Sequence, residues 1–220
     1  MTVSATSNGL RPGVCTSTNR PSTPFDGMVI YETDTDLVKA YNGSSWETVG
    51  PTTASGLSYL TGASFSAVST VSFASGVFTS TYQNYVVTLN LTASSTDQDI
   101  SIRVNNAGTP RTAANYYGSK TTITGPGTST NTGTNGGTSH NAMRTLSAYI
   151  TLGATIQVYS PLATGTNTSW TVQAFGAESV SSANIVSGCT YNALEAHDGL
   201  TFVVGGTITG NYRVYGIANS

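Results

Sequence analysis

Along Tyr85-Val86-Val87-Thr88-Leu89-Asn90-Leu91 an apolar residue recurs at every second position, and that period constrains this chain more than any other feature. A period of two places Tyr85, Val87, Leu89 and Leu91 on one side of an extended strand, with Thr88 and Asn90 on the other. The pattern returns in Ile100, Ile102 and Val104 around Ser101 and Arg103. It returns again in Trp170, Val172 and Ala174 around Thr171 and Gln173, and in Leu200, Phe202 and Val204. Half-buried strands of this kind pair into antiparallel sheets with one dry and one wet face. Thr70–Phe73, Leu146–Leu152, Thr155–Ser160 and Tyr212–Ile217 are further strand candidates. Short strands joined by Gly-rich turns predict an antiparallel, jelly-roll-like β-sandwich over residues 56–220.

Composition supports an all-β fold. Charged residues are only 8% of the 220, far below the usual quarter, so Thr, Ser, Asn and Gln must supply the polar surface. The 12 Tyr, 6 Phe and 2 Trp are core anchors of a kind that disordered chains lack. Thr and aromatic residues favour strands, and strong helix formers are scarce. A net charge of −2 with thinly spread basic residues leaves no footprint for nucleic acid. No apolar run reaches the ~18 residues of a membrane-spanning helix. The opening MTVSATSNGL has neither a basic nor an apolar leader region, so export by a signal peptide is not expected. Cys15 and Cys189 show no metal-ligand spacing and read as independent thiols, one of them buried as a small hydrophobe.

Residues 24–50 (PFDGMVIYETDTDLVKAYNGSSWETVG) read as a β-meander. Met28–Tyr31 is a strand, Glu32–Asp36 a Thr/Asp turn, Leu37–Tyr41 a return strand, Asn42-Gly43 a tight turn signal and Trp46–Val49 the closing strand. Such a unit is too small to be stable alone and has to dock on something. Residues 1–23, rich in Ser, Thr, Pro and Gly, read as an extended arm. Pro51–Gly56 is a linker, which divides the chain into an attachment module at 1–55 and an outward-facing domain at 56–220.

The phrases Arg20-Pro21, Gly27, Tyr31-Glu32-Thr33-Asp34-Thr35, Tyr41-Asn42-Gly43-Ser44 and Trp46 resemble a segment of tail-fibre, minor-tail and decoration proteins of tailed bacteriophages. Tyr82–Tyr85 and Gly210–Gly216 resemble phrases in sandwich domains of phage appendages. The resemblance implies a virion surface protein made in the host cytoplasm and released by lysis. It implies a homotrimer bound to other virion proteins, with Tyr31, Asp34, Tyr41, Asn42, Gly43 and Trp46 serving attachment. A short tail fibre or minor tail protein is one position; a capsid decoration protein is the alternative. A free-standing carbohydrate-binding or adhesive module is a third reading.

No residue pattern announces catalysis, a metal or another cofactor. Glu195, His197 and Asp198 lack a nucleophile elbow or zinc spacing and read as a solvated turn. Glu32, Asp34 and Asp36, and likewise Asp97 and Asp99, read as turn chemistry. Residues 125–141, without an apolar side chain, read as an exposed or partner-contacting loop. Exposed aromatics beside amides are the remaining route to recognition. The candidate contact residues for a partner or a host-surface glycan are Tyr116, Tyr117, Asn131, Asn135, His140 and Tyr191, with one of the adjacent tyrosines expected in the core.

Overall fold

The computed structural model describes residues 12–50, 56–125, 127–145, 151–178 and 181–218. The chain divides into two compact units, 1–55 and 56–220. The described residues form fifteen strands and no helix.

In the first unit, β1 (Gly13–Cys15), β2 (Val29–Glu32), β3 (Leu37–Tyr41) and β4 (Trp46–Thr48) form one sheet in that order. The meander is antiparallel, but β1 joins β2 in parallel. Over its described part the expected extended arm is not left unpaired, since three of its residues join the sheet as a strand. Their backbone finds partners on the open edge of β2, which satisfies groups that would otherwise need water.

The motif phrases of this unit bind one another. Arg20 Nε donates to Glu32 Oε1, whose other oxygen accepts from Thr35 Oγ1 at 2.9 Å. Asp34 accepts the Ser17 N–H at 2.8 Å, and the Tyr31 hydroxyl donates to Asp36 at 2.7 Å. Hydrogen bonds from Ser17 and the charge of Arg20 hold the Asp34 carboxyl below its ordinary pKa. Asn42 caps the last turn, its side-chain oxygen accepting from Ser44 N and Ser45 N at 2.9 and 2.8 Å. Gly43 takes φ 89°, and Tyr41 and Trp46 close the four-residue loop with ring centroids 5.4 Å apart.

The second unit contains β5 (Leu57–Ser72), β6 (Asn84–Ser94), β7 (Gln98–Asn106), β8 (Thr109–Pro110), β9 (Tyr116–Thr124), β10 (Thr128–Gly137), β11 (His140–Thr145), β12 (Thr151–Tyr159), β13 (Thr168–Glu178), β14 (Ser181–Tyr191) and β15 (Gly199–Ile217). They form one eleven-stranded sheet in the order β10-β9-β14-β13-β12-β6-β15-β7-β11, with β5 along β15 and β8 on β7. All these pairings are antiparallel.

The sheet curls because β15 serves two neighbourhoods. Its first part, Gly199–Val204, pairs with β7, and its second, Ile208–Ile217, pairs with β6. Between them Gly205-Gly206-Thr207 interrupts the ladder, and Ser95 and Gln98 bind that bend. Gln98 Nε2 donates to Thr207 O at 3.2 Å and Ser95 Oγ accepts from Thr207 N at 2.9 Å. The bend folds β7 and β11 over the rest, so that β11 packs against β9, β13 and β14. An apolar face is thereby covered by another part of its own sheet, giving an all-β, sandwich-like body.

The core includes the alternating residues that the sequence singles out. Tyr85, Val87, Leu89, Leu91, Ile100, Ile102, Val104, Trp170, Val172, Ala174, Leu200, Phe202 and Val204 are all buried in it. The expectation of short strands throughout is corrected: β5 runs for 16 residues and β15 for 19. Gly-Gly reads locally as a turn but here only bends a strand whose pairing continues on both sides. Residues 146–150 of the expected Leu146–Leu152 strand lie outside the described residues.

The two phrases Tyr82–Tyr85 and Gly210–Gly216 meet in this sheet, with Gly216 opposite Tyr85. A Cβ on Gly216 would fall 2.4 Å from the Tyr82 ring, and one on Gly210 only 2.1 Å from the Asn90 carbonyl oxygen. The second obstacle is backbone and cannot rotate away. Gly210→Ala is therefore expected to destabilise the protein by about 3 kcal/mol or more through overpacking. Its urea midpoint against that of the parent chain checks this.

Candidate functional site

Period two turns an equal number of side chains outward, and the strand registers align them in rows across the large sheet. One row runs Asn90, Gly153, Phe175, Asn184, Ile123 on β6, β12, β13, β14 and β9. The next runs Thr88, Thr155, Gln173, Val186, Thr121 and ends at Asn131 on β10. The outward described positions of these strands hold Thr, Ser, Asn, Gln, Gly, aromatic and aliphatic residues and no charged side chain. The lone Lys of this region, Lys120, points inward and is buried.

A groove of roughly 620 Å³ lies in this face, lined by Thr88, Gly153, Thr155, Gln173, Phe175, Asn184 and Val186 among others. Gly153 makes its floor, because the place of its missing Cβ has no atom within 4 Å. Phe175, directly opposite Gly153 on the neighbouring strand, is 56% exposed, and Val186 is 54% exposed. The arrangement offers an apolar ring and an isopropyl group beside two amides and two hydroxyls, with no group that titrates near neutrality.

The predicted contact residues divide between the two faces. Tyr117, Asn131 and Asn135 lie on the exposed side at the β9–β10 end: Tyr117 faces Asn135 across the ladder, and Thr121 Oγ1 donates to Asn131 Oδ1 at 2.8 Å. Tyr116, His140 and Tyr191 are corrected, since all three are buried. The Tyr116 hydroxyl donates to Arg111 O at 2.9 Å and accepts the Val104 N–H at 3.1 Å. Burial pushes its phenol above the ordinary tyrosine range. Tyr191 packs edge-on between Tyr116 and His197, 4.8 and 5.0 Å away by ring centroids. Phe175, Gln173 and Asn184 were not singled out from sequence, although extending the 170–174 alternation by one residue places Phe175 outward.

The loop expected over 125–141 is also corrected. Thr128–Gly137 is the strand β10, paired with β9 from Thr128 opposite Thr124 to Gly137 opposite Tyr116. Its backbone is held by a ladder although its side chains carry no hydrophobic period. None of its ten residues is buried.

The Glu195–Asp198 turn is a junction rather than a solvated loop. His197 is buried, with Nδ1 2.7 Å from Thr168 Oγ1 and Nε2 3.4 Å from Glu195 Oε1 without hydrogen-bond geometry. Arg111 Nη2 pairs with the other oxygen of Glu195. Asp198 accepts from Ser75 Oγ at 2.7 Å, and from Gly76 N and Gly108 N at 3.1 Å each, tying two loops together. The hydroxyl–imidazole–carboxylate series has the order of a catalytic triad, yet Thr168 and His197 are both fully covered. Its geometry serves packing. Among the described residues no group of three or more His, Cys, Asp or Glu is arranged to hold a metal.

Comparison with protein-family models, with curated proteins and with solved structures finds no match to this chain.

A second buried polar region lies inside the second unit, where the large sheet folds over itself. Lys120 Nζ donates to Asp99 and Asn141 at 2.7 Å each. His140 lies edge-on to Trp170, with centroids 6.0 Å apart, and neither of its ring nitrogens has a partner within the protein. Burial, reinforced by the Lys120 charge, pushes its pKa down to about 4. The folded value lies below the unfolded one of about 6.5, so the stability that neutral His140 permits is full above pH 6.5 and is lost as pH falls towards 4. From pH 7 to 5 the expected loss is about 2 kcal/mol. Burial lowers the His197 pKa as well, which adds loss of the same sign. Urea unfolding of the parent and His140→Phe at both pH values checks the first part, since the variant should show the smaller drop.

Proposed function

We propose that this chain is a non-enzymatic structural protein of a tailed-phage virion, a short tail fibre or minor tail protein assembled as a homotrimer. The four-stranded unit attaches it to other virion proteins, and the large sheet is displayed. The observation that carries the assembly is β10. Its ten-residue backbone lies at a sheet edge, carries no charge or proline, and has no buried side chain. Edge strands of monomers are usually protected by such groups, and a strand without packed side chains gains little from its own sheet. A neighbouring copy laid on β10 buries its threonines at small desolvation cost, because charge-poor surfaces suit permanent interfaces.

The virion assignment rests on the motif phrases of the first unit, two of which, around Arg20 and Glu32–Thr35, are bound to each other. Tyr41, Asn42, Gly43 and Trp46 lie together at its last turn, and Tyr41 and Trp46 stay half-buried. That leaves an aromatic pair for a docking partner. The non-enzymatic reading is supported by the covered Thr168–His197–Glu195 series and by a groove without titratable groups.

Light scattering on the full chain at micromolar concentration is expected to give three times the 22.6 kDa chain mass. Thr130→Lys with Thr132→Lys, which adds charge along β10, should reduce that mass to one chain. A monomeric parent removes the trimer. Immunogold labelling of virions with antibody to the full chain is expected at the tail; label over the head moves the protein to capsid decoration, and unlabelled particles remove the virion role.

A further inference from the structure

From the groove around Phe175 we infer a binding site for a neutral oligosaccharide. This goes beyond the assembly reading and does not rest on it, since a virion appendage and a free-standing module would use the same chemistry. A sugar ring has apolar C–H faces and an equatorial rim of hydroxyls. It is bound where an exposed aromatic or aliphatic surface lies beside amides and hydroxyls.

Phe175 and Val186 supply the apolar surface, and Gln173, Asn184, Thr88 and Thr155 supply the polar groups. All six line one groove of roughly 620 Å³, within the common range of about 300–1,000 Å³ for ligand sites. Thr88, Thr155, Gln173 and Val186 stand in register on four adjacent strands, a row roughly 14 Å long at the usual strand spacing of ~4.8 Å. That length suits several sugar units rather than one.

Charge selects the ligand class. The described outward positions of β6, β12, β13, β14 and β9 hold neither a cation for phosphate, sulfate or uronate nor an anion for an amine. Arg213 on β15 stands opposite Thr88 but does not line the groove, so a nucleic acid or acidic polysaccharide finds no counter-charge within it, while a neutral glycan needs none. Phe175 also has a local role, because an aromatic residue across from a strand glycine compensates the missing side chain. That role does not account for the open floor at Gly153, where an added Cβ would meet no atom within 4 Å. An unfilled position beside an exposed ring leaves room for a ligand.

The test is backbone-amide NMR on the full chain. It is titrated with neutral hexasaccharides of glucose, galactose and N-acetylglucosamine, and in parallel with an anionic oligogalacturonate. At least one neutral sugar should cause saturable shifts confined to 153–155, 173–175 and 184–186, and the anionic sugar none. Phe175→Ala should weaken binding at least tenfold, and Gly153→Gln, which fills the floor, should do the same. Tyr117→Ala, at the far end of the face, should change it less than twofold. Unchanged core methyl signals of Val87 and Ile156 establish that the variants are folded. No shift with any neutral sugar at about 10 mM, well above a millimolar dissociation constant, overturns the inference. So does an unchanged affinity in Phe175→Ala, or the same shifts on diluting the protein alone, which would make the groove a contact between copies.

Discussion

Water penalises the apolar face of an alternating sheet until something covers it. Here the cover is the same sheet, and the bend at Gly205–Thr207 makes that possible. Without it β15 would run flat from β6 past β7, and the row Tyr85, Val87, Leu89, Leu91 would have no opposite face. With it, β7 and β11 fold back so that β11 packs against β9, β13 and β14, and one continuous core is enclosed. The bend in turn depends on Gln98 and Ser95, which satisfy the backbone of 206 and 207 where the ladder lapses. The outward rows, including the groove, are the other half of the same alternation.

Scarcity of charge shapes the interior as much as the surface. Several buried polar groups are neutral and bind one another: Thr201 Oγ1 donates to Asn105 Oδ1 at 2.8 Å, and the Asn105 amide reaches Leu200 O at 3.2 Å. Such networks avoid the desolvation cost of an ion pair. His140 is a buried ring with both nitrogens unpartnered, and its stability contribution is therefore tied to staying uncharged. Lys120 is held by Asp99 and Asn141 at the margin of the same region, where Asp99 remains open to solvent.

Much of the fold was legible because burial and period two are the same signal. Every alternating residue named in the four strongest runs is in the core, and the meander boundaries agree with β2 to β4 within a residue. What failed was contact chemistry read from residue type. Tyr116 and Tyr191 carry polar tips that suit a surface, yet their hydroxyl and ring partners lie inside. His140 sits in a polar stretch, yet it starts β11 beneath Trp170. The threonine, asparagine and glycine of β10 look like loop composition because edge pairing needs only backbone groups.

The sequence by itself determined that the chain is all-β, which side of each alternating strand is dry, and that the N-terminal phrases form a separate small sheet. Local period and turn chemistry suffice for that, since they act between neighbours along the chain. Only the tertiary structure decided which wet positions stand together. Asn90, Gly153, Phe175 and Asn184 are adjacent solely through strand order and register. Likewise Glu195, His197 and Asp198 became a junction because Arg111, Thr168, Ser75 and Gly108 arrive from distant segments. A site made by cross-strand neighbours has no linear motif, because the register that creates it is set by burying the opposite face.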